Sequence, residues 1–369
     1  MKQRIIALII KELLVNLKDK KVCLSLIVPP IIQLVIFTWA ATLDVKDVPI
    51  GILNRDSGEK AFELVQRFHG SPMFTKIVYL KGVEEIAPFI DNQWGVMVVS
   101  IDEQFSRNID AKKAADVQLI LDGRKTNTAQ IVAGYTSDVI SQYNLDIASD
   151  IGVKLQSTAI VPRDWYNPNL LFYWYNIPCL VAILTMLLSL IITCLSVARE
   201  RELGTFDQLL VSPMLPIEIM IGKVIPAIII ALVESTIIVL VGVFIFQVPF
   251  VSYFAYLYAA LFVFVCSVVG VGLFISSLCS TQQQAVLGSF CFVSPSVLLS
   301  GFATPIENMA PWIQYITYVN PLRYMLVVSR GVFLKDMPFS IILQNLWPMA
   351  IIAIFTFTAS TWFFKRRLE

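Results

Sequence analysis

Apolar positions along the chain follow two periods. In residues 4–18 (RIIALIIKELLVNLK), Ile6, Ile9, Ile10, Leu13, Leu14 and Leu17 share one helical face, and Lys11, Glu12, Asn16 and Lys18 line the other. A helix patterned this way lies in the plane of a membrane rather than crossing it. Glu12 and the lack of serine argue against an organelle presequence. Residues 22–43 are then apolar all round, over about the length that a hydrocarbon core of ~30 Å demands. A cleaved signal peptide would have a shorter apolar part and no amphipathic helix before it, so a retained anchor is expected. Five more apolar runs follow at 170–197, 224–246, 254–278, 285–302 and 341–364. The first of these opens with Phe172-Tyr173-Trp174-Tyr175, a belt suited to the membrane–water interface.

Residues 44–169 alternate on a shorter scale. Strands are expected at 49–54, 74–80, 95–101 and 117–121, the last ended by Asp122-Gly123. Helices are expected at 57–69 (capped by Asp56 or Ser57), 83–92, 103–112 and 126–156. Alternation of this kind predicts a compact α/β domain long enough to hold its own core. Residues 303–340 are semi-polar and carry Pro305, Pro311, Pro321 and Pro338. Short helices dipping into the membrane surface are expected there.

Composition agrees with this reading. Of 369 residues 57% are hydrophobic and 15% charged, with mean hydropathy +0.72, against about 25% charged in soluble domains. The expected fold is an α-helical polytopic membrane protein with six transmembrane helices. An extracytoplasmic α/β domain is inserted between the first two spans. The parts are an amphipathic segment (1–21), a first span (22–43), the α/β domain (44–169) and a five-span region (170–369). Six spans put both termini on one side. Lys2, Arg4, Lys11, Lys18, Lys20 and Lys21 at one end and Lys365, Arg366 and Arg367 at the other make that side cytoplasmic.

That topology places residues 198–213 (ARERELGTFDQLLVSP) in the cytosol. Thr205 and Gln208 have capping-box spacing. Phe206, Leu209 and Leu210 fall on one face of a short helix over 205–211, and Pro213 ends it. Burying three such side chains is worth roughly 1.5–3 kcal/mol each, so they seek either a partner's groove or the lipid surface. The residues alone leave both destinations open.

The net charge of +1 argues against nucleic acid as a partner, and six cysteines lie in or beside apolar runs without disulfide or zinc spacing. His69 is the sole histidine, and no phosphate-cradling G-x-x-x-x-G-K-[ST] motif is present. No catalytic residue is expected, and energy for any transport must come from an ion gradient or another polypeptide. Glu234 is a carboxylate deep in an apolar run. It serves either a substrate path or proton uptake, or it is a protonated, hydrogen-bonded glutamate assisted by Ser235 and Thr236. Pro29, Pro30, Pro178, Pro226 and Pro295 fall within spans and predict kinks.

Residues 198–213 resemble the coupling-helix signature of ABC type-2 exporter permeases, including paired permease subunits of an enterobacterial multidrug efflux pump. Residues 275–284 (ISSLCSTQQQ), 298–309 (LLSGFATPIENM) and 165–169 (WYNPN) resemble other parts of that family. The resemblance covers essentially the whole chain. It implies a bacterial inner-membrane subunit with no cofactor of its own, ATP and Mg being bound by a separate ATP-binding subunit. A second permease subunit, identical or related, and a periplasmic membrane-fusion protein are the other implied partners, beside membrane lipids. It makes 1–21 an elbow helix and 303–340 an external re-entrant segment. It implies that Arg199, Glu200, Arg201, Glu202, Gly204, Thr205, Phe206, Gln208, Leu209, Leu210 and Pro213 couple to the ATPase, the charged residues pairing with it or with the elbow. An amphipathic drug or lipid-like cargo is expected. The alternatives are an ATPase-independent receptor or scaffold with a periplasmic binding domain, and a proton-coupled carrier using Glu234.

Overall fold

A computed structural model describes residues 2–18, 20–40, 48–74, 76–150, 165–169, 171–205 and 215–366. It separates into two compact units, one of Leu43–Pro162 and one of Met1–Thr42 with Arg163–Glu369.

The second unit begins with α1 (Lys2–Lys18) and α2 (Lys20–Ala40). Ile6, Ile10 and Leu14 of α1 are exposed as an interfacial helix requires, while Leu8 and Glu12 are buried. Glu12 therefore departs from the polar outer face expected of it. The reason is a buried cation, described below.

The Leu43–Pro162 unit holds β1 (Pro49–Asn54), α3 (Glu59–Gly70), β2 (Lys76–Tyr79), α4 (Ile86–Asp91), β3 (Met97–Ile101), α5 (Phe105–Asp110), β4 (Val117–Leu121) and α6 (Thr126–Asp150). Residues 151–156 of the expected last helix lie outside the described residues. The sheet has order β2-β1-β3-β4. β1 pairs in parallel with β2 and β3, and β3 pairs antiparallel with β4, Val99 facing Leu119. β3 is buried along its whole length, which suits its run of Met, Val, Val and Ile. Helix α3 turns Ala61, Leu64, Val65 and Phe68 inward at helical spacing.

The cap of α3 is not the expected one. Its N-cap is Gly58, which has no side chain to offer. Instead Ser106 of α5 accepts a hydrogen bond from the Ala61 amide at 3.1 Å, and Asp56 accepts from the amides of Ser106 (2.6 Å) and Gly58 (2.9 Å). The orphan donors of the helix are thus satisfied across 45 residues of sequence. Desolvation opposes ionisation of Asp56, but the Ser106 hydroxyl and the amides of Ser106, Gly58 and Ser57 hold its carboxyl below the usual range.

The remaining elements belong to the unit that α1 and α2 begin. They are α7 (Phe172–Glu202), α8 (Pro216–Leu240), α9 (Phe254–Leu278), α10 (Gln282–Leu298), α11 (Pro311–Thr317), α12 (Pro321–Leu334) and α13 (Phe339–Arg366). A π-helical turn, Val241–Ile245, extends α8. Among the described residues four helices are long and apolar enough to cross a membrane: Phe172–Glu202, Ile217–Ile245, Phe254–Leu278 and Phe339–Phe363. Val28–Trp39 in α2 and the 17-residue α10 are apolar but shorter. The short helices α11 and α12 fall within the segment expected to carry them, each starting on a proline.

Helix α7 is the axle of this unit. Within an apolar cluster it makes polar ties to four neighbours. Asn176 donates to the Phe37 carbonyl of α2 (2.8 Å), and Thr185 pairs with Ser235 of α8 (2.8 Å). Ser276 of α9 donates to the Cys194 carbonyl (2.9 Å), and Ser329 of α12 to that of Pro178 (2.5 Å). The last uses the carbonyl of a proline within the helix. Small hydroxylated residues suit lipid-embedded packing because they admit close backbones and supply hydrogen bonds. Tyr173, Trp174 and Tyr175 of the expected aromatic belt pack partly into this cluster.

Replacing Ser106 with Ala is expected to cost about 1 kcal/mol, since it strands the Ala61 amide. Hydrogen-exchange protection in the first turn of α3 should fall about fivefold. Because Asp56 is held low, its stabilisation is present above the pKa of an unfolded aspartate and is lost as pH falls through the folded value. Protection in α3 should therefore decline on acidification, and Asp56→Asn should flatten that decline.

Candidate functional site

The charged end of α7 is where the membrane unit concentrates its ionic chemistry. Lys223 of α8 is 2% exposed. Its amine lies 3.2 Å from Glu12 of α1 and 2.7 Å from Glu200 of α7, and it donates to the carbonyl (3.1 Å) and hydroxyl (3.2 Å) of Ser196. Ser196 also donates to Glu12 at 3.1 Å. Lys11 closes the cluster from its half-exposed side, 2.9 Å from Glu200. Two lysines thus face two carboxylates where three helices meet. The approach is tight. A Cβ on Gly222, next to Lys223, would come within 2.3 Å of Leu8.

The next two charges address helix ends. The Arg201 guanidinium donates to the carbonyls of Ser276 (3.3 Å), Ser277 (3.0 Å) and Cys279 (3.0 Å), at the C-terminal end of α9. Glu202 accepts from the Gln282 amide at 2.8 Å, at the N-terminal end of α10. A cation at a C-terminus and an anion at an N-terminus each match the helix dipole. The start of α10 is further closed by Thr281, which accepts from the Gln284 amide, and by Gln284, which accepts from the Ser280 amide. This gives a local role to the 275–284 string.

Gly204 ends α7 with φ +69°, the left-handed conformation that favours glycine, and its amide donates to the Arg201 carbonyl at 3.1 Å. Thr205 donates its hydroxyl to the Glu200 carbonyl at 3.3 Å. Arg199 is half-buried and has no carboxylate partner among the described residues. Phe206, Gln208, Leu209, Leu210 and Pro213 lie outside the described residues, so the Thr205–Gln208 capping box and the 205–211 helix do too.

The structure therefore places Glu200, Arg201 and Glu202 at the end of α7, each bonded to different neighbouring helices. It adds Glu12, Ser196 and Lys223, which sequence reasoning missed as a set. One signal was available. Lys223 stands at the start of an apolar run, as Glu234 stands within it, and a cation there demands a partner. Glu234 is buried, and neither of its carboxyl oxygens has a hydrogen-bond partner among the described residues. The assistance expected from its neighbours is absent. Ser235 bonds to Thr185 and to the Ala231 carbonyl, while Thr236 bonds to the Leu232 carbonyl and Tyr258.

Removing one member of a buried ion pair typically costs about 3–5 kcal/mol, because the other charge is left stranded. An exposed pair contributes about 1 kcal/mol or less. Lys223→Met is therefore expected to lower the thermal midpoint of the solubilised chain sharply, and Lys11→Ala only slightly. Equal effects of the two would refute the central position given to Lys223.

Comparison with known proteins places the chain as a whole. Residues 20–362 match the family described as ABC-2 family transporter protein. The chain is 42% identical over 365 residues to the Escherichia coli protein named probable multidrug ABC transporter permease YbhR, covering 99% of both chains. It is 31% identical over 377 residues to the Escherichia coli protein named probable multidrug ABC transporter permease YbhS, covering 100% of this chain and 98% of the other. The inner membrane transport permease YhhJ of Escherichia coli is 24% identical over 303 residues, 81% of this chain. With a family match across nearly the whole chain and apolar helices gathered on a charged junction, this chain belongs to the ABC-2 family of transporter proteins, as a multi-pass membrane permease.

Proposed function

We propose that the chain is the transmembrane permease subunit of an ATP-driven exporter in a bacterial inner membrane, moving amphipathic drugs or lipid-like molecules outward. In this reading α2, α7, α8, α9, α10 and α13 are six spans, both termini are cytoplasmic, and residues 44–169 form a periplasmic domain. Residues 1–21 are the elbow and 303–340 the external re-entrant segment. Hydrolysis of ATP, with its Mg, belongs to a separate ATP-binding subunit. A second permease, identical or related as YbhR and YbhS are related to this chain, completes the path. A membrane-fusion protein meets the periplasmic domain.

The observation that carries the reading is the way residues 200–204 are fixed. Glu200 is tied to α1 and α8, Arg201 to α9 and Glu202 to α10, and Gly204 then turns the chain out of α7. A loop leaving so braced a junction transmits a push to five helices at once. The charges are consumed in bracing, so the ATPase contact falls to Phe206, Leu209 and Leu210, whose apolar faces gain by burial in a partner groove.

The buried, unpartnered carboxyl of Glu234 supports a second reading, a carrier coupled to protons. Two experiments separate them. Leu209→Asp with Leu210→Asp is expected to abolish transport and co-purification of the ATP-binding subunit while membrane insertion persists. Retained co-purification would remove the docking assignment. Glu234→Gln is expected to leave ATP-dependent efflux at half or more of its normal rate, whereas the proton-coupled reading requires its loss.

A further inference from the structure

A cavity of about 810 Å³ opens between α1, α2, α7 and α10, and Lys11, Glu12, Ser196 and Glu200 of the ion cluster form part of its lining. Its wall on α7 sets the buried Leu184, Leu188 and Ile192 beside a more open stripe. Leu187, Ile191, Leu195 and Arg199 follow one another at i+4 and are only partly buried, although Met186, Leu190 and Cys194 beside them are fully enclosed. The most buried helix of the unit thus leaves one face open, apolar for three steps and cationic at the fourth. From Leu187 to Arg199 this face runs roughly 18 Å at 1.5 Å per residue, close to one leaflet's share of a ~30 Å hydrocarbon core. Gln33 of α2 and Phe290 of α10 line the opposite walls.

The charge at its mouth has a definite sign. Glu12 and Glu200 reach the cavity, but both are held by lysines at 2.7–3.2 Å. With Lys223 behind the wall, three cations meet two carboxylates among the described residues, and Arg199 is the one outside the ion pairs. A half-buried guanidinium with no carboxylate partner among the described residues, beside an apolar slot, is suited to an anionic head on a hydrocarbon body. A cationic amphiphile would meet carboxylates whose charge is already spent.

We infer that this cavity receives an amphipathic anion from the leaflet on the Arg199 side, its single anionic group on Arg199 and its tail along Leu187, Ile191 and Leu195. This rests on the exporter reading and narrows its substrate class.

The test uses the full chain in discs of zwitterionic lipid, without ATP or partner subunits, and fluorescently tailed dodecyl phosphate as probe. Arg199→Gln should weaken binding about tenfold, and Arg199→Lys should restore most of it. Added salt should weaken the wild type and leave Arg199→Gln nearly unmoved. Ile191→Trp, which fills the slot, should abolish binding with Arg199 intact. Inorganic phosphate should not displace the probe. Equal binding by wild type and Arg199→Gln, or displacement by inorganic phosphate alone, would overturn the proposal. So would efficient crosslinking of Leu187→Cys between two copies that dodecyl phosphate does not reduce, since the face would then be an interface. Unchanged thermal midpoints show that the variants fold. Because no ATPase takes part, lost binding leaves the exporter reading standing, and lost ATP-dependent transport with intact binding leaves the site standing.

Discussion

A lysine amine enclosed where three helices meet persists as a charge only if carboxylates come to it. Lys223 has two, Glu12 and Glu200, on helices separated by more than 180 residues of chain. Their positions are mutually fixed to within the length of a hydrogen bond, and the rest of the junction follows. Helix α1 must lie with Glu12 inward, so its apolar residues turn out where an interfacial helix needs them. With Glu200 pinned, helical geometry sets Arg201 towards the carbonyl end of α9 and Glu202 towards the amide end of α10.

Such an arrangement resists piecemeal change. In water a surface ion pair is made and lost at little cost, but a buried partner cannot leave without stranding a charge. Helices α1, α7 and α8 are therefore expected to move as one piece. The polar ties of α7 act in the same direction at greater depth, each a hydroxyl or amide group donating to a carbonyl or sharing a proton with another hydroxyl. In an exporter, this is the property that a loop receiving a mechanical push requires of the helices behind it. Leu187, Ile191, Leu195 and Arg199 of α7 stay only partly buried among the described residues.

The α/β unit illustrates a gentler dependence. Its strands, including β1 and β4 at their expected limits, were legible because alternating and β-branched runs report a sheet directly. The cap of α3 was not. Local spacing pointed to Asp56 or Ser57, whereas the first-turn amide is met by Ser106, a residue of α5 that only the folded sheet brings near. Of the six expected spans, α9 falls at its expected limits, while among the described residues Val28–Trp39 in α2 and the 17-residue α10 are shorter than the four long apolar helices. The mixed periodicity of α1 was read as an interfacial helix, yet the inward turn of Glu12 could not be.

By itself the sequence determined the classes of element, because hydrophobic periodicity and length are local properties and lipid leaves few ways to satisfy a backbone. It also determined the family, through the string at 198–213. It marked Arg199, Glu200, Arg201 and Glu202 as a charged group facing a partner or the elbow. Only the tertiary structure decided that these four charges have separate duties: one in the ion cluster, two at helix ends and one at a cavity mouth. The physical reason is that a charge near apolar surroundings is governed by its nearest opposite charge or dipole. For Glu200, Arg201 and Glu202 those partners lie on other helices, at distances along the chain that no local pattern records.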